Sequence, residues 1–385
     1  MRIHVYQSNR RRNPYRRLEH LLTKNHFYPL MFCYNELNDL GVDVRFFGKL
    51  NDKVLDCDAL FLASRQVDAV GGFDYTHNGI EKRQSMVARL RGRTSARLIW
   101  FDLRDSGGTP QFEVMPFVDL YCKQMLYKDR DLYRRKMYGG RIFTDYFRRI
   151  HGVEDGAIDE DNECLPLLEM YQHKLCVFWD VGASYNRLYV KRSEPWNLIR
   201  EVWGFRHRQE GTIVFYDPRS PREVSMCVLL SVDRYKRHTI AAQRRIAVKI
   251  AQGIKDSGIC VGWLPRVQFG RALIDSKIVL SCFGAGEVCL REHEAWQACA
   301  AVLMPDMSHL EVWPDRYLPG ETYIPLEWNL SNLEECYWYL RNNEEARLHL
   351  AIEGQRRMKG IFDSESRARF ARRVKSIASG VVPSE

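Results

Sequence analysis

The chain has 385 residues and a net charge of +9, and 45% of its residues are hydrophobic. This length and composition allow two large cores, which excludes a mainly disordered chain and predicts two domains. The sequence holds no apolar run near the roughly 20 residues that a transmembrane helix needs, and no apolar segment of a signal peptide follows residues 1–6.

Basic residues and cysteines restrict the partners and the compartment. The basic clusters lie at residues 10–17, 91–97, 134–136, 234–245 and 367–375. Such clusters favour anionic partners, meaning phosphates, nucleic acid or an acidic membrane surface, although any one of them can be a solvated face. The eleven cysteines include no Cys-x-x-Cys pair, which indicates free thiols in a reducing cytoplasm rather than a zinc site or a disulfide framework.

The first half of the chain alternates strand and helix patterns. Strands are predicted over residues 1–7, 42–47, 59–63, 97–101, 118–123 and 174–179, and helices over residues 28–40 and 80–93. This alternation predicts parallel β-α-β units. Asp102 and Asp105 follow a strand and precede a glycine turn, where a doubly wound domain can place a general base. The alternative is that at least one of them caps the turn.

Two further segments of the first half are candidates for acceptor binding. Arg11 belongs to the arginine-rich segment that follows the first strand, at the edge where open α/β sheets bind ligands. Arg141 and Tyr146 follow the glycine turn at Gly139 and Gly140, in a polar and aromatic segment that suits a sugar. An ordinary loop packed on a core would explain the second segment equally well.

The second half repeats the alternation. Strands are predicted over residues 212–216, 226–231, 259–263, 278–280, 302–304 and 323–325, and helices over residues 241–254, 269–274, 333–342 and 345–378. Residues 307–314 are predicted as a loop or a short helix. Basic side chains lie between the second of these strands and the next helix, at Arg234, Lys236 and Arg237, and on that helix at Arg244 and Arg245.

Residues 278–306 form the most informative stretch. An apolar strand, a turn at Gly284 and Gly286, a helix from Glu287 and a second strand make the skeleton of a nucleotide-binding unit. The free N–H groups and the dipole at the helix start attract phosphate, and Arg291 can add a cationic clamp. Glu287, Arg291 and Glu294 would share one helical face, with Glu294 placed for ribose hydroxyls. Ion pairs on a solvated face are the alternative.

The same stretch resembles the donor-binding domain of GT-B glycosyltransferases, in particular the group-1-like family with spore-maturation-type and polysaccharide enzymes. The matching residues are Asp275-Ser276-Lys277, Phe283-Gly284-Ala285-Gly286-Glu287, Arg291, Glu294-Ala295 and Pro305-Asp306. The resemblance implies that Glu294 holds the ribose and that the turn at Phe283, Gly284 and Gly286 lies against the diphosphate.

By the same resemblance, Arg234, Lys236, Arg244 and their basic neighbours neutralise the diphosphate without a metal. Six residues separate Glu287 from Glu294, where the better-known retaining families have seven. This departure leaves open whether Glu287 positions the sugar and whether the anomeric configuration is retained.

These observations predict an α/β protein of two Rossmann-like domains facing a cleft. The resemblance implies that an acceptor domain covers residues 1–205, that a donor domain covers residues 206–350, and that helices in residues 351–385 pack back on the first domain. The predicted activity is transfer of a sugar from a nucleotide-sugar to a glycan or lipid-linked acceptor in bacterial surface polysaccharide or lipopolysaccharide synthesis.

That transfer would need no cofactor and no metal, and it would take place in the cytoplasm or at the inner face of an anionic membrane. Asp105, Asp102 and Glu287 are the catalytic candidates. The alternatives are a basic nucleic-acid-binding protein, for which no recognition signature is seen, and a catalytically silent glycan-binding relative.

Overall fold

The computed structural model describes residues 1–6, 26–64, 77–156, 164–179, 182, 215–361 and 363–383. The strands are β1 (Arg2–Tyr6), β2 (Asp43–Phe47), β3 (Ala59–Ala63), β4 (Arg97–Asp102), β5 (Leu120–Lys123), β6 (Met125–Tyr127), β7 (Leu175–Val177), β8 (Val224–Leu229), β9 (Ile259–Gly262), β10 (Ser276–Leu280), β11 (Ala301–Pro305), β12 (Leu310–Val312) and β13 (Ile324–Leu326). The α-helices are α1 (Tyr28–Phe32), α2 (Tyr34–Asp39), α3 (Asp52–Leu55), α4 (His77–Arg91), α5 (Ile142–His151), α6 (His238–Gly253), α7 (Arg266–Ile274), α8 (Leu290–Gln297), α9 (Leu333–Asn342), α10 (Glu344–Lys359) and α11 (Ser364–Ala378).

Two parallel sheets organise the chain. The first has the strand order β2-β1-β3-β4-β5-β7, and the second has the order β13-β11-β10-β8-β9. Every strand pair in both sheets is parallel. When the strands of each sheet are renumbered from 1 in chain order, both sheets contain the order 2-1-3-4-5, read from the β2 edge in the first sheet and from the β9 edge in the second. This order is the doubly wound arrangement of nucleotide-binding domains. The predicted fold class, with two Rossmann-like domains, is confirmed.

The inner strands of each sheet are apolar because both of their faces are covered. β3 is buried at all five positions, and β11 is buried throughout as well. One apolar cluster runs through both domains and includes Trp100 of the first and Trp296 of the second. A second cluster covers the outer face of the first sheet, and a third covers the outer face of the second sheet. Parallel sheets buried on both faces read as continuous apolar runs, which is why these strands were predictable.

A short antiparallel ribbon ties the two halves together. β12 pairs with β6 in the register Leu310↔Tyr127 to Val312↔Met125, and the ion pair between Arg130 and Glu311 lies beside it. The prediction of a loop or short helix over residues 307–314 was therefore wrong. A three-residue strand gains its stability from its partner, and here the partner lies far away in the sequence.

The last helix crosses back to the first domain. Phe370, Val374 and Ile377 of α11 join the cluster on the outer face of the first sheet. Arg373 anchors the helix by donating to the backbone oxygens of Val177 and Phe178. α10, which precedes it, stays with the second domain and packs on α8, so the crossover follows Lys359.

Two predictions fall on residues that the structure does not describe. The strand predicted over 212–216 lies mostly outside the described residues, and Phe215 and Tyr216 are not in a strand. The predicted domain boundary at 205/206 also lies outside them. All eleven cysteines are free thiols, and six of them are buried. Among the described helices, none combines the length and apolar character that crossing a bilayer requires.

Asp102 and Lys123 form a fully buried ion pair inside the first domain. Asp102 Oδ2 accepts from Lys123 Nζ at 2.7 Å and from the Tyr121 hydroxyl at 2.6 Å, and Oδ1 accepts from the Arg104 amide. Burial opposes ionisation of Asp102, but the ammonium of Lys123 and the guanidinium of Arg104 outweigh it and hold the carboxyl pKa below its usual value. The pair lies at the ends of neighbouring strands β4 and β5 and fixes that edge of the sheet.

We expect Lys123→Met to lower the free energy of unfolding by about 3–5 kcal/mol, because it leaves a buried carboxylate without its cation. The loss is measured as a shift of the denaturant midpoint. Asp102→Asn/Lys123→Met should recover part of it, since the carboxylate is then removed together with its paired cation. Lys53→Met, at an exposed lysine, is the control. A Lys123→Met protein as stable as this control would contradict the structural role of the pair.

Candidate functional site

The candidate site lies at the carboxyl edge of the second sheet, where β8 and β10 are neighbours. The chain leaves β8 toward β9 on one side and returns to β10 on the other, so a crevice opens between their ends. Ligands of open α/β sheets bind at this switch point. The segments that follow the two strands, residues 230–237 and 281–289, therefore lie at this switch point.

Two arginines lie at this switch point. Arg244 of α6 donates from Nε to the oxygen of Phe283 at 2.7 Å and from Nη1 to the oxygen of Ser231 at 3.3 Å, so it joins the two segments. Arg291 of α8 donates to the oxygen of Leu229, the last residue of β8, at 3.2 Å. In the described part of the chain, neither guanidinium is in an ion pair with a carboxylate, and the buried Nε of Arg291 has no hydrogen-bond partner.

The turn and the start of the helix differ from the prediction. α8 begins at Leu290, not at Glu287, so Glu287 lies in the preceding loop and does not share a helical face with Arg291 and Glu294. The cause is a capping box in which Cys289 is the N-cap and the Glu292 side chain accepts from the Cys289 amide. Burial raises the pKa of Glu292 to about 7. The chain thus supplies its own carboxyl group to the helix start where a phosphate was expected.

Glu294 lies one turn into α8 and is turned inward. Only 3% of its surface is exposed, and its Oε1 accepts from Arg266 Nη2 at 2.5 Å. Its Oε2 has no hydrogen-bond partner among the described residues. Arg266 is half-exposed at the start of α7, so the buried carboxylate is paired with a guanidinium that reaches the solvent. A simple solvated face would require Glu294 and Arg291 to point into bulk solvent. They do not.

Glu287 joins the two domains. Its Oε1 accepts from the Ser106 hydroxyl at 3.0 Å and from the Tyr127 hydroxyl at 2.9 Å, and its Oε2 accepts from the Gly107 amide at 3.1 Å. All three donors belong to the first domain. Burial and the adjacent carboxylate raise the pKa of Tyr127 well above its ordinary value, so its hydroxyl stays protonated and can donate.

The glycine turn is pressed against the first domain at Gly286. A Cβ atom at this position would lie 1.6 Å from the backbone oxygen of Asp105. Asp105 itself is half-buried and directly precedes the donors Ser106 and Gly107. The carboxyl end of β4 and the loop after β10 therefore meet at a single junction, and Asp105 lies within it.

The predicted acceptor residues form part of the same junction. Arg141 is buried, and it donates from Nε to the oxygen of Ala285 at 2.8 Å and from Nη1 to the oxygen of Gly139 at 2.8 Å. Phe143 stacks on Phe283 with ring centroids 4.8 Å apart. Tyr146 is half-buried edge-on to Trp328. These contacts favour a packing role for Arg141, and the acceptor roles of Arg141 and Tyr146 stay predictions.

The remaining predicted residues are spread more widely. Arg234 and Lys236 are exposed in the segment after β8. Arg237 pairs with Asp155 of the first domain at 3.4 Å. Arg11 lies outside the described residues. Asp102 is enclosed with Lys123, so its position favours a structural role over that of a base that must meet an acceptor.

Three functional candidates were not predicted, namely Ser106, Tyr127 and His309. The ring of His309 lies 6.0 Å from that of Tyr127 and 5.1 Å from that of Trp328, and burial lowers its pKa, so the imidazole is neutral at pH 7. The glycine turn after β4 was a sequence signal for Ser106. Tyr127 and His309 enter the junction through the β6–β12 ribbon, for which the sequence has no visible signal.

Gly286→Ala should lower the free energy of unfolding by about 1–3 kcal/mol or more, because its methyl group collides with backbone rather than with a flexible side chain. Denaturant midpoints measure the loss. Gly253→Ala is the matched control, since no atom lies within 4 Å of its added Cβ. Equal midpoints for the two variants would show that the junction is not packed as described.

No family model matches the sequence, and no curated protein does. Among solved structures, the chain is similar to HepE from Anabaena in complex with UDP-glucose (10% identity, 98% of this chain and 100% of that chain, TM-score 0.43). It is similar to an alpha-glucosyltransferase in complex with UDP (10% identity, 98% and 100%, TM-score 0.42). It is also similar to a UDP-N-acetylglucosamine 2-epimerase from Listeria monocytogenes (9% identity, 98% and 96%, TM-score 0.41).

Proposed function

We propose that this chain is a glycosyltransferase that transfers a sugar from a nucleotide-sugar to a hydroxyl group of a glycan or lipid-linked acceptor. The observation that carries the proposal is the set of charges at the switch point of the second sheet. Arg244 and Arg291 lie at the ends of β8 and β10, and the buried carboxylate of Glu294 follows on α8. A nucleotide-sugar presents complementary groups, namely a diphosphate and ribose hydroxyls.

The two arginines suit a diphosphate because their charge is not cancelled. Each guanidinium is held by neutral backbone oxygens, so it is oriented without being paired to a carboxylate within the described residues. The cation of Arg244 also lies 4.9 Å from the ring centre of Tyr235, which steadies it further. Fixed cations of this kind stabilise the negative charge that develops on a leaving diphosphate.

Glu294 suits the ribose, and a neighbouring aromatic ring suits the base. The Oε2 atom of Glu294 has no hydrogen-bond partner among the described residues, so it can accept from a ribose hydroxyl. Trp263 follows β9 at the same edge of the sheet, and 68% of its surface is exposed. An exposed tryptophan at this edge offers a face on which a nucleobase can stack. Together these groups describe a nucleotide with its phosphates directed toward β8 and β10.

The chemistry is one displacement at the anomeric carbon of the donor sugar. Asp105 takes the proton from the acceptor hydroxyl, the acceptor oxygen forms a bond to the anomeric carbon, and the bond from that carbon to the diphosphate breaks. The electron pair leaves with the diphosphate, next to Arg244 and Arg291. Asp105 is assigned as the base because it is half-buried where the two domains meet. Glu287 holds the adjacent 106–107 segment in place.

The acceptor and the biological setting rest on the sequence resemblance alone. We propose a glycan or lipid-linked acceptor, as in bacterial surface polysaccharide or lipopolysaccharide synthesis, because the segment from Asp275 to Asp306 resembles enzymes of that kind. The basic clusters of the chain are consistent with an acceptor carried at an anionic membrane face.

A thermal-shift screen against UDP-, GDP-, ADP-, TDP- and CMP-sugars should find one nucleotide that raises the melting temperature, because a ligand of the native state stabilises it in proportion to occupancy. Glu294→Ala should abolish that rise and leave the unliganded melting temperature near that of the wild type. Glu335→Ala, at an exposed glutamate of α9, should respond like the wild type. An unchanged nucleotide response in Glu294→Ala would remove the donor-site assignment.

Asp105→Asn should keep the nucleotide-induced thermal shift and lose transfer by about 100-fold or more, because a positioned general base contributes roughly that factor. Transfer is followed as release of the nucleoside diphosphate with acceptor present. Asp39→Asn, at an exposed aspartate outside the junction, is the control. Full transfer activity in Asp105→Asn would exclude this residue as the base.

A further inference from the structure

A basic cavity lies on the opposite side of the second domain from the candidate donor site. Its volume is about 330 Å³, and its wall includes Arg219, Arg222, Lys277, Arg347 and Glu344. Arg222 and Lys277 lie near the amino ends of β8 and β10, whereas the donor site lies at the carboxyl ends of the same strands. The cavity is therefore separated from the donor site by the length of the sheet.

Arg222 forms the floor of this cavity. Its Nη1 donates to the oxygen of Ser276 at 2.6 Å, and its Nη2 donates to the oxygen of Ala298 at 2.6 Å and, more weakly, to that of Asp217 at 3.3 Å. The residue is only 9% exposed, and its buried Nε has no partner in the part of the chain that the structure describes. The guanidinium is thus fixed in place and buried, and its Nε donor is unused.

The charges of the other cations of the cavity are also incompletely neutralised by carboxylates. Within the described residues, neither Arg219 nor Lys277 is in an ion pair with a carboxylate, and Arg222 has only carbonyl partners. Arg347 is 3.5 Å from Glu344, but that carboxylate is mostly exposed, so the pair is weak. Burial lowers the pKa of both Arg222 and Arg347, and the nearby carboxylates, Asp275 and Asp217 for Arg222 and Glu344 for Arg347, offset this only in part. An anionic ligand would offset this lowering further.

From these observations, we infer that the cavity is a second ligand site, which binds a phosphate group. Four cations face one carboxylate, and a phosphate matches the donors of arginine in both charge and geometry. The volume is at the lower end of the range for small-molecule sites, so the phosphate can carry a small organic group. Such a group occurs both in soluble phosphate esters and in phospholipid headgroups.

The inference is tested with the full chain and inorganic phosphate as the probe, by calorimetric titration at low ionic strength. Arg219→Gln/Lys277→Gln removes two cations of the wall and leaves Arg222 in place, because Arg222 also holds backbone oxygens. We expect phosphate affinity to fall by about tenfold or more in this variant. Lys249→Gln/Lys255→Gln removes the same charge from exposed positions of the second domain outside the cavity, and should keep wild-type affinity.

Vesicles distinguish the two sources of the phosphate group. A headgroup site predicts that the wild type cosediments with phosphatidylglycerol vesicles but not with phosphatidylcholine vesicles. This cosedimentation should be lost in Arg219→Gln/Lys277→Gln and kept in the control. Phosphate binding without such cosedimentation would assign the site to a soluble ester. No phosphate binding by the wild type, or an equal loss in both double variants, would overturn the inference.

This outcome is separable from the donor-site proposal. Arg219→Gln/Lys277→Gln should retain the wild-type thermal shift with the nucleotide-sugar, because none of its changes lies at the carboxyl ends of the strands. The contrary result is a variant that loses this response while its unliganded melting temperature equals that of the unliganded wild type. That result would show that the cavity belongs to the donor site, and it would overturn the assignment of a second site.

Discussion

The carboxylate of Glu287 is the constraint on which the arrangement of the two domains depends. A carboxylate removed from water needs hydrogen-bond donors, and the donors here are Ser106, Gly107 and Tyr127 of the other domain. The loop after β10 can therefore be buried only when it meets the segment after β4. Gly286 is required at the same point, because any side chain would collide with the backbone of Asp105.

This contact places the two halves of the proposed reaction next to each other. Each sheet has the strand order that opens a crevice at its carboxyl edge, and the two edges meet at residues 105–107 and 284–287. Arg244 and Arg291 supply the cations on one side, and Asp105 supplies the carboxylate on the other. The ribbon of β6 and β12 adds a backbone connection between the halves, so their separation is limited by hydrogen bonds as well as by side chains.

The sequence predicted the elements that depend on local pattern. β3 was predicted at Ala59–Ala63 and is found there, because a strand buried on both faces is a plain apolar run between turns. The start of α8 was placed too early, at Glu287, because Cys289 is a weak N-cap signal and the box with Glu292 became visible only in three dimensions. β12 was missed because its partner, β6, is far away in the sequence.

The sequence predicted several residues of the candidate site but not which of them contact each other. Arg291 and Glu294 were found because glycine turn, arginine and glutamate follow one another along the chain. The sequence did not predict the burial of Asp102 against Lys123. An aspartate at the end of a strand has the same sequence pattern whether its side chain faces a cleft or a neighbouring strand. The partners of Glu287 come from another domain, and spacing along the chain carries no information about such contacts.

We propose that the junction around Glu287 and the switch point of the second sheet together form a nucleotide-sugar site. The most direct measurement is a crystal structure of the full chain with the nucleotide-sugar that raises its melting temperature. We expect the diphosphate beside Arg244 and the turn at Gly284 and Gly286, and a ribose hydroxyl on the carboxylate of Glu294. A nucleotide bound elsewhere, with Glu294 still paired only to Arg266, would contradict this proposal.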